Sequence, residues 1–591
     1  MDGRGAVRKG SAEDADERRR LSTLDLVGLA AGGVVGSGWL MAVSQTKTAA
    51  QQGYAMQAWV IGGALMLLIA AVMVELGIAL PKTGGLIFLP LQAAGPLLAT
   101  VVAAGLWIAY AANPASEAWA MVQGLAYEFP SLLSCPKGAE DPQLSGRGWL
   151  CAVAFLTLIV GLNFLPPRRL IRLNLIITAV KVLIVVLIVV CLGFAGFRFG
   201  TGGAYPLANT DFLQACVKAQ PQEWWPEQGS WSKQGSGLTM LLGSSVIYAY
   251  IGFQAPLDCA GNVKRRGMGE AARLRWAVYG SLVGAFLLYT ALQWVFNGLG
   301  HQWTVDRFPS PYYRFAADQG MAWMVWLIGL NAVLSPMGSG LVFTYALTRE
   351  VAALSRHHLT HRGLQTARRA SFRFRGAEID VCWMILLVNF TVSLTMLAMV
   401  GSDWHRLSAL NSGLTLLVYA IAGVVLVALP LETFGRTRRG AHMVLSYAAF
   451  IAIALVIHST EPDKVWPGMV ALGVGSALLL LLPFLARRDL PLVGRLLGRY
   501  DAKDHLFRFA DPKDAAVRPL LLFVAYLVVL LVCTLLREGR FWVTASIVVL
   551  SAAVVFPLLV RASSRYLDQV PFPLPSPRAE PQAKSPVTEG T

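Results

Sequence analysis

Runs of about 20 apolar residues recur along this 591-residue chain, and that is the length an α-helix needs to cross a bilayer core about 30 Å thick. The stretch 182–192 contains no polar residue at all. A single soluble core stops growing well before this chain length, so the surplus apolar surface has to face lipid. Composition agrees: 55% of the residues are hydrophobic and 14% are charged, against about a quarter charged in soluble domains. A mean hydropathy of +0.55 is that of a chain whose solvent is largely hydrocarbon. Windows of about 20 residues predict about fourteen spans, near 24–45, 55–79, 96–124, 148–165, 172–197, 238–260, 276–298, 321–347, 379–400, 406–430, 441–459, 466–486, 518–536 and 541–561.

The chain carries 50 Lys+Arg against 34 Asp+Glu, a net charge of +16. In a soluble protein that balance would suggest nucleic acid, but the charges crowd into alternate loops. Arg168, Arg169 and Arg172 form one cluster, Lys264, Arg265, Arg266, Arg273 and Arg275 a second, and Arg356, Arg362, Arg368, Arg369, Arg373 and Arg375 a third. Further clusters sit at 436–439 and 487–499. This is the positive-inside pattern, and it predicts a multi-pass protein of the bacterial plasma membrane with both termini cytoplasmic and no nucleic-acid partner. The first 20 residues are polar and charged, so no cleavable signal peptide is expected before the first span.

Between spans, the chemistry is sparse. The outside loop 199–236 carries Trp224, Trp225 and Trp231 and reads as an interfacial cap. His357, His358 and His361 stand among arginines with no Cys or carboxylate to complete a metal shell, so a basic helix on anionic headgroups is expected there instead of a metal site. Of the seven cysteines, Cys135 and Cys216 lie in outside loops where a disulfide is chemically allowed; the other five read as free thiols. The tail from Pro571 is rich in Pro, Ser and Glu and is expected to be disordered.

Two spans are interrupted by glycine. Span one contains Gly32, Gly33, Val34, Val35, Gly36, Ser37 and Gly38; span six contains Gly243, Ser244 and Ser245 and then Tyr250, Ile251, Gly252 and Phe253. A lone glycine in a membrane helix commonly serves close packing. A pair of broken helices five spans apart means more, because unwound backbone at mid-membrane is tolerated only where it lines a cavity. Broken helices in corresponding positions of two halves mark a transporter's central site, and an odd offset sets the halves in opposite orientations, an inverted repeat.

The stretches Gly36-Ser37-Gly38-Trp39, Glu75-Leu76-Gly77-Ile78-Ala79-Leu80-Pro81-Lys82-Thr83-Gly84-Gly85 and Tyr248-Ala249-Tyr250-Ile251-Gly252-Phe253 resemble the signatures of the amino acid, polyamine and organocation (APC) superfamily. Span eight adds Leu334-Ser335-Pro336-Met337-Gly338-Ser339-Gly340, then Tyr345 and Arg349, and the fourteen-span layout resembles the aspartate and glutamate proton symporter branch. The resemblance implies an all-α fold with a LeuT-like 5+5 inverted-repeat core over 22–430, four additional helices over 431–561, and cytoplasmic tails at 1–21 and 562–591. It also implies that substrate lies between helices one and six.

The residues themselves suit that role. Freed N–H groups around Val35, Gly36, Ser37 and Gly38, at the positive end of the following half-helix, can hold a carboxylate, and Ser37 adds a hydroxyl. Freed carbonyls at Ala249, Tyr250 and Ile251, next to Gly252, can accept from an ammonium group. Phe253, Gln254, Tyr250, Ala112 and Asn113 are the candidates for side-chain selectivity. Many relatives carry an acid where this chain has Gln254, and Ala-Glu-Glu where it has Ala260-Gly261-Asn262. That weakens a polyamine substrate without proving an acidic one.

Ionisable groups inside a membrane are functional candidates by default. Lys181 in span five matches a lysine that sodium-independent members of the superfamily place near the site of a sodium ion. Its ammonium is expected to bridge the carbonyls of helix one near Gly33 and Val34 to Ser335 or Ser339, where it argues against sodium. Glu117, the only acid well inside span three, has three roles open to it: pairing with Lys181, carrying the proton, or capping a polar cluster. Asp25 and Glu75 are expected to cap or close cytoplasmic ends, and Asp258 to join an inner gate with Lys82 or Arg273.

The expectation is therefore a secondary amino acid permease, proton-coupled or exchanging, sodium-independent and working by alternating access, with an amino acid, a proton and lipid as its partners and no cofactor. The alternatives are a transport-like sensor, a partner-dependent subunit, or a carrier of polyamines or other organocations. No nucleophile elbow, His-Asp pair or metal cluster supports an enzyme, and no Gly-Lys-Ser/Thr phosphate loop supports an ATP-driven pump.

Overall fold

A computed structural model describes residues 21–42, 55–81, 84–134, 143–198, 245–263, 269–298, 311–357, 359–361, 364, 382–400, 404–430, 436–487 and 514–570. Residues 1–20 and 571–591, the loop 199–236, Cys135, Cys216, Lys82 and His358 lie outside the described residues. The expectations resting on them are not addressed by the structure. Residues 562–567, expected to be part of the tail, are helical.

The first helix, α1 (Thr23–Val34), starts at a capping box: the Asp25 N–H reaches the Ser22 hydroxyl, and the Ser22 N–H reaches the Asp25 carboxylate. This is the capping role expected of Asp25. Helix α2 (Ala55–Ala79) is followed by α3 (Gly85–Ala94) and the long α4 (Pro96–Leu125). A two-residue hairpin, Leu133–Ser134 with Gln143–Leu144, leads to α5 (Gly146–Leu162) and α6 (Pro167–Arg198). Span six is two short helices, α7 (Ile247–Tyr250) and α8 (Ala255–Asp258). Then come α9 (Glu270–Gly298), α10 (Pro311–Asp318), α11 (Ala322–Arg356), α12 (Trp383–Val400) and α13 (Trp404–Ala428). The chain ends in α14 (Arg436–Ser459), α15 (Pro462–Arg487), α16 (Val517–Leu535) and α17 (Phe541–Leu567).

Among the described residues, eleven helical stretches are long and apolar enough to cross a membrane. The broken span six and the shorter α5 and α12 supply the other positions of the fourteen-span layout. Two helices were not foreseen. Helix α3 begins inside the Gly84-Gly85 motif, where Gly84 has a φ of +76° that favours glycine, and α10 sits between spans seven and eight.

The centre of the bundle is α4 and α13, whose most apolar stretches are 89% and 94% buried inside the protein. For α15 the figure is 22%, so that helix lies at the lipid-facing rim. Helix α4 packs on α11, α13, α3 and α12, while α1 packs on α9 and α6. The broken α1 and the broken α7–α8 pair stand five spans apart, the spacing expected of a LeuT-like inverted-repeat core. The additional helices brace it: α14 packs on α13 and α2, and α17 on α13 and α3. On the outside of the bundle, Trp276, Trp294, Trp323, Trp326 and Trp466 are exposed, as in the aromatic belts of membrane proteins.

Candidate functional site

The break in span one falls at Val35, Gly36 and Ser37, after which the helix resumes over 38–42. A helix end leaves its last four carbonyls without intrahelical donors, and each one in α1 finds a partner. Ala31 O accepts from the Val35 N–H, Gly32 O from Lys181 Nζ at 2.8 Å, and Gly33 O from the Ser339 hydroxyl at 3.2 Å. Val34 O accepts from the Tyr289 hydroxyl at 2.9 Å and from the Gly36 N–H. Ser335 Oγ lies 3.0 and 2.9 Å from the Val35 and Gly36 carbonyls and shares its hydrogen between them.

Lys181 is fully buried, so it does not snorkel to the interface. Its ammonium sits at the negative end of α1, where a cation is favoured, and it also donates to Ser335 O at 3.3 Å. The sequence-based expectation named Gly33 and Val34 as its carbonyl partners; the acceptor is one residue earlier, at Gly32.

On the other side of the break the polarity reverses. The Ser37 N–H, at the positive start of the second half-helix, donates to Glu117 Oε2 at 3.0 Å. Glu117 is fully buried on α4, and its Oε1 accepts from the Tyr248 hydroxyl at 2.9 Å. Among the described residues Glu117 and Lys181 form no ion pair: the lysine holds carbonyls, and the acid holds the N–H of the same break.

Span six breaks where Gly252 takes a φ of +126°, a conformation that strains any side-chain-bearing residue. The Gly252 N–H is bonded to Gln254 Oε1 at 2.8 Å, so the Gln254 side chain folds back on its own backbone. The two breaks touch: a Cβ on Gly33 would lie 2.8 Å from Gly252 O. Gly38 and Ala249 are in similarly close contact.

The remaining candidates separate into two groups. Asn113 donates to the Tyr248 hydroxyl at 3.1 Å, and Phe253 packs on Tyr419 at 5.5 Å, both beside the breaks. Ala112 is buried on α4. Tyr250 instead points to α2, donating to Trp59 O at 3.1 Å and packing on Trp59 and Tyr289. Asp258 lies with Tyr110, which donates to it at 3.1 Å, whereas Arg273 donates to Thr23. Glu75 accepts from Arg275 at 2.8 Å, a tie between α2 and α9.

Sequence reasoning missed Tyr248 as the partner of Glu117 and Trp404, whose indole N–H donates to Ser37 Oγ at 3.1 Å. Trp404 also packs edge-on against Tyr248. The site thus presents N–H and O–H donors to a carboxylate on one side of the α1 break and carbonyls to an ammonium on the other. The donor side lies under the Tyr248 and Trp404 rings.

The amino acid permease family matches residues 21–486. The aspartate-proton symporter of Bacillus subtilis (strain 168) is 29% identical over 350 residues, covering 58% of this chain and 61% of that protein. The glutamate/serine transporter AimA of the same organism is 28% identical over 350 residues, covering 57% and 59%. The chain therefore spans about three fifths of the length of these two relatives. The branched-chain amino acid permease BcaP, also of Bacillus subtilis, is 23% identical over 349 residues, covering 58% and 68%. A manganese transporter of Eremococcus coleocola overlays 78% of this chain and 94% of its own at 13% identity and a TM-score of 0.44, a likeness too loose to add to the fold described above. From its paired helix breaks to a family match that runs across most of its length, this multi-pass membrane protein belongs to the amino acid permease family.

Proposed function

We propose that the protein is a secondary active amino acid permease, sodium-independent and coupled to protons or to exchange, which works by alternating access between its two inverted halves. The observation that carries this reading is the Ser37 N–H bonded to the Glu117 carboxylate. A protein carboxylate occupies the donors that would receive a substrate's carboxylate, so ionised Glu117 competes with substrate while its protonation frees those donors, and proton and substrate are linked through one group. The ammonium of Lys181 on Gly32 O fills with a fixed cation the carbonyls that a sodium ion would need, which supports sodium independence. The names of the first two relatives make aspartate, glutamate and serine the first substrates to test. The basic loops favour a plasma-membrane orientation with cytoplasmic termini.

The test is purified protein in liposomes, a panel of labelled amino acids, and a pH gradient imposed or collapsed. At least one amino acid should accumulate with the gradient or exchange without it; no movement under any gradient would sink the reading. In the same assay Glu117→Gln keeps an acceptor for the Ser37 N–H and offers an N–H to Tyr248, mimicking the protonated acid. It is expected to exchange substrate but to lose gradient-driven accumulation by about tenfold or more, the value of a charge-assisted bond of about 1.5–3 kcal/mol. Accumulation at the unaltered level would remove Glu117 from coupling.

A further inference from the structure

Below the span-six break, toward the basic loops, a second pair of acids is buried away from the site just described. Asp258, the last residue of α8, and Glu350 on α11 are both 0% exposed. Both acids are gathered onto the start of α3, which gives the Gly84 N–H to Asp258 O and the Leu86 and Ile87 N–H groups to Glu350, close enough for the two carboxyl groups to interact. An ionised carboxylate can only accept, and two ionised carboxylates close together in a buried interior repel each other, which favours one proton on the pair. The surroundings assign its place. Glu350 accepts the N–H groups of Leu86 at 3.3 Å and Ile87 at 3.1 Å, in the first turn of α3, where the helix end favours negative charge. Asp258 Oδ2 accepts from Tyr110, while its Oδ1 receives no donor among the described residues.

The other charged or titratable groups facing the pair leave that proton in place. Arg349 donates to the Tyr345 hydroxyl at 2.9 Å and lies over the Tyr345 ring. Arg356, within electrostatic reach of Glu350, donates to Ala352 O. Tyr419 of α13 faces Asp258 with a buried hydroxyl that has no partner among the described residues, and Cys259 follows Asp258 in the chain. Neither acid forms an ion pair with a Lys, Arg or His among the described residues.

We propose that Asp258 and Glu350 hold one proton between them, at a site separate from Glu117 and Lys181, and that this proton latches α8, α11 and the start of α3 together at the cytoplasmic end. The Gly84 N–H adds a bond to Asp258 O at 2.9 Å, so the same few atoms tie three segments. When this end opens, water enters, the Asp258 carboxylic acid gives its proton to solvent, and two adjacent carboxylates repel each other until a proton returns. The sidedness of the latch rests on the orientation proposed above; its chemistry does not depend on which solute is carried.

Hydrogen exchange on the full-length protein in nanodiscs tests it, followed by mass spectrometry of segments 84–94 and 255–263. Rates are corrected for the intrinsic pH dependence of exchange. In the natural protein, protection of both segments should fall by about tenfold between about pH 6 and about pH 8.5, one pKa unit of linkage or more, while 541–567 keeps its protection. Asp258→Asn replaces the shared O–H with an amide N–H that needs no proton, so its protection should stay high and flat. A flat profile in the natural protein, or the same fall in Asp258→Asn, overturns the proposal. Transport is not read in this experiment, so failure of the permease reading and failure of the latch are separate results.

Discussion

Lys181→Ala is expected to cut gradient-driven uptake in liposomes to about a tenth or less, while the variant still inserts and purifies as a folded protein. The substitution removes the donor to Gly32 O and Ser335 O at a fully buried position, and each orphaned buried acceptor costs about 1–3 kcal/mol. It also removes a positive charge from the end of α1, with Glu117 still holding the N–H across the break. Folding is distributed over many helices and should survive; the balance between carbonyls and N–H groups at one break should not. Fluorescence-detected size-exclusion chromatography separates the two outcomes. Uptake at the natural rate in a folded Lys181→Ala protein would show that the ammonium is a structural plug with no part in coupling.

Gly252→Ala is expected to act on the fold itself. A φ of +126° strains an alanine by about 1–3 kcal/mol. The added methyl would also fall on backbone atoms of the other break, 2.6 Å from both Gly33 O and Val34 N. Backbone cannot swing aside as a side chain can, so the two broken helices would have to part. Loss of uptake and a melting temperature lowered by several degrees are the expected readings. Gly284→Ala in α9 is the control, since a Cβ there meets nothing within 4 Å, and alanine in a helix is favoured over glycine by about 0.5–1 kcal/mol. Equal behaviour of the two variants would mean that the close approach of the breaks does not matter.

The features legible in the sequence were those that a local rule controls. Apolar length gave the spans, glycine gave both breaks, and an isolated charge in an apolar run singled out Lys181 and Glu117. Asp25 was expected only to cap or close its helix end; its partner Ser22, three residues away, came from the structure. What the sequence hid was partnership. Tyr248 reaches Glu117 from 131 residues away, and Trp404 reaches Ser37 from 367. No periodicity carries such information, because it arises only when helices pack. Glu350 had a readable signal, an acid beside Arg349 in an apolar helix, but its meaning depended on α3, whose first turn was read only as a glycine motif. Gln254 stood at the position of an acid in many relatives, yet its side chain accepts the Gly252 N–H two residues back, at a glycine with a positive φ.

The carboxylate held at the α1 break makes Glu117 a tethered competitor for its own site. A group fixed to the scaffold is present at an effective concentration that is about millimolar for short flexible links, and a rigid helix does not dilute it. A free anion must outbid it, so the apparent affinity for any carboxylate-bearing ligand is its intrinsic affinity reduced by the fraction of time the tether lets go. Weak apparent binding at high pH would then be a property of the empty protein, not of the ligand, and analogues that lack a carboxylate would be indifferent to it.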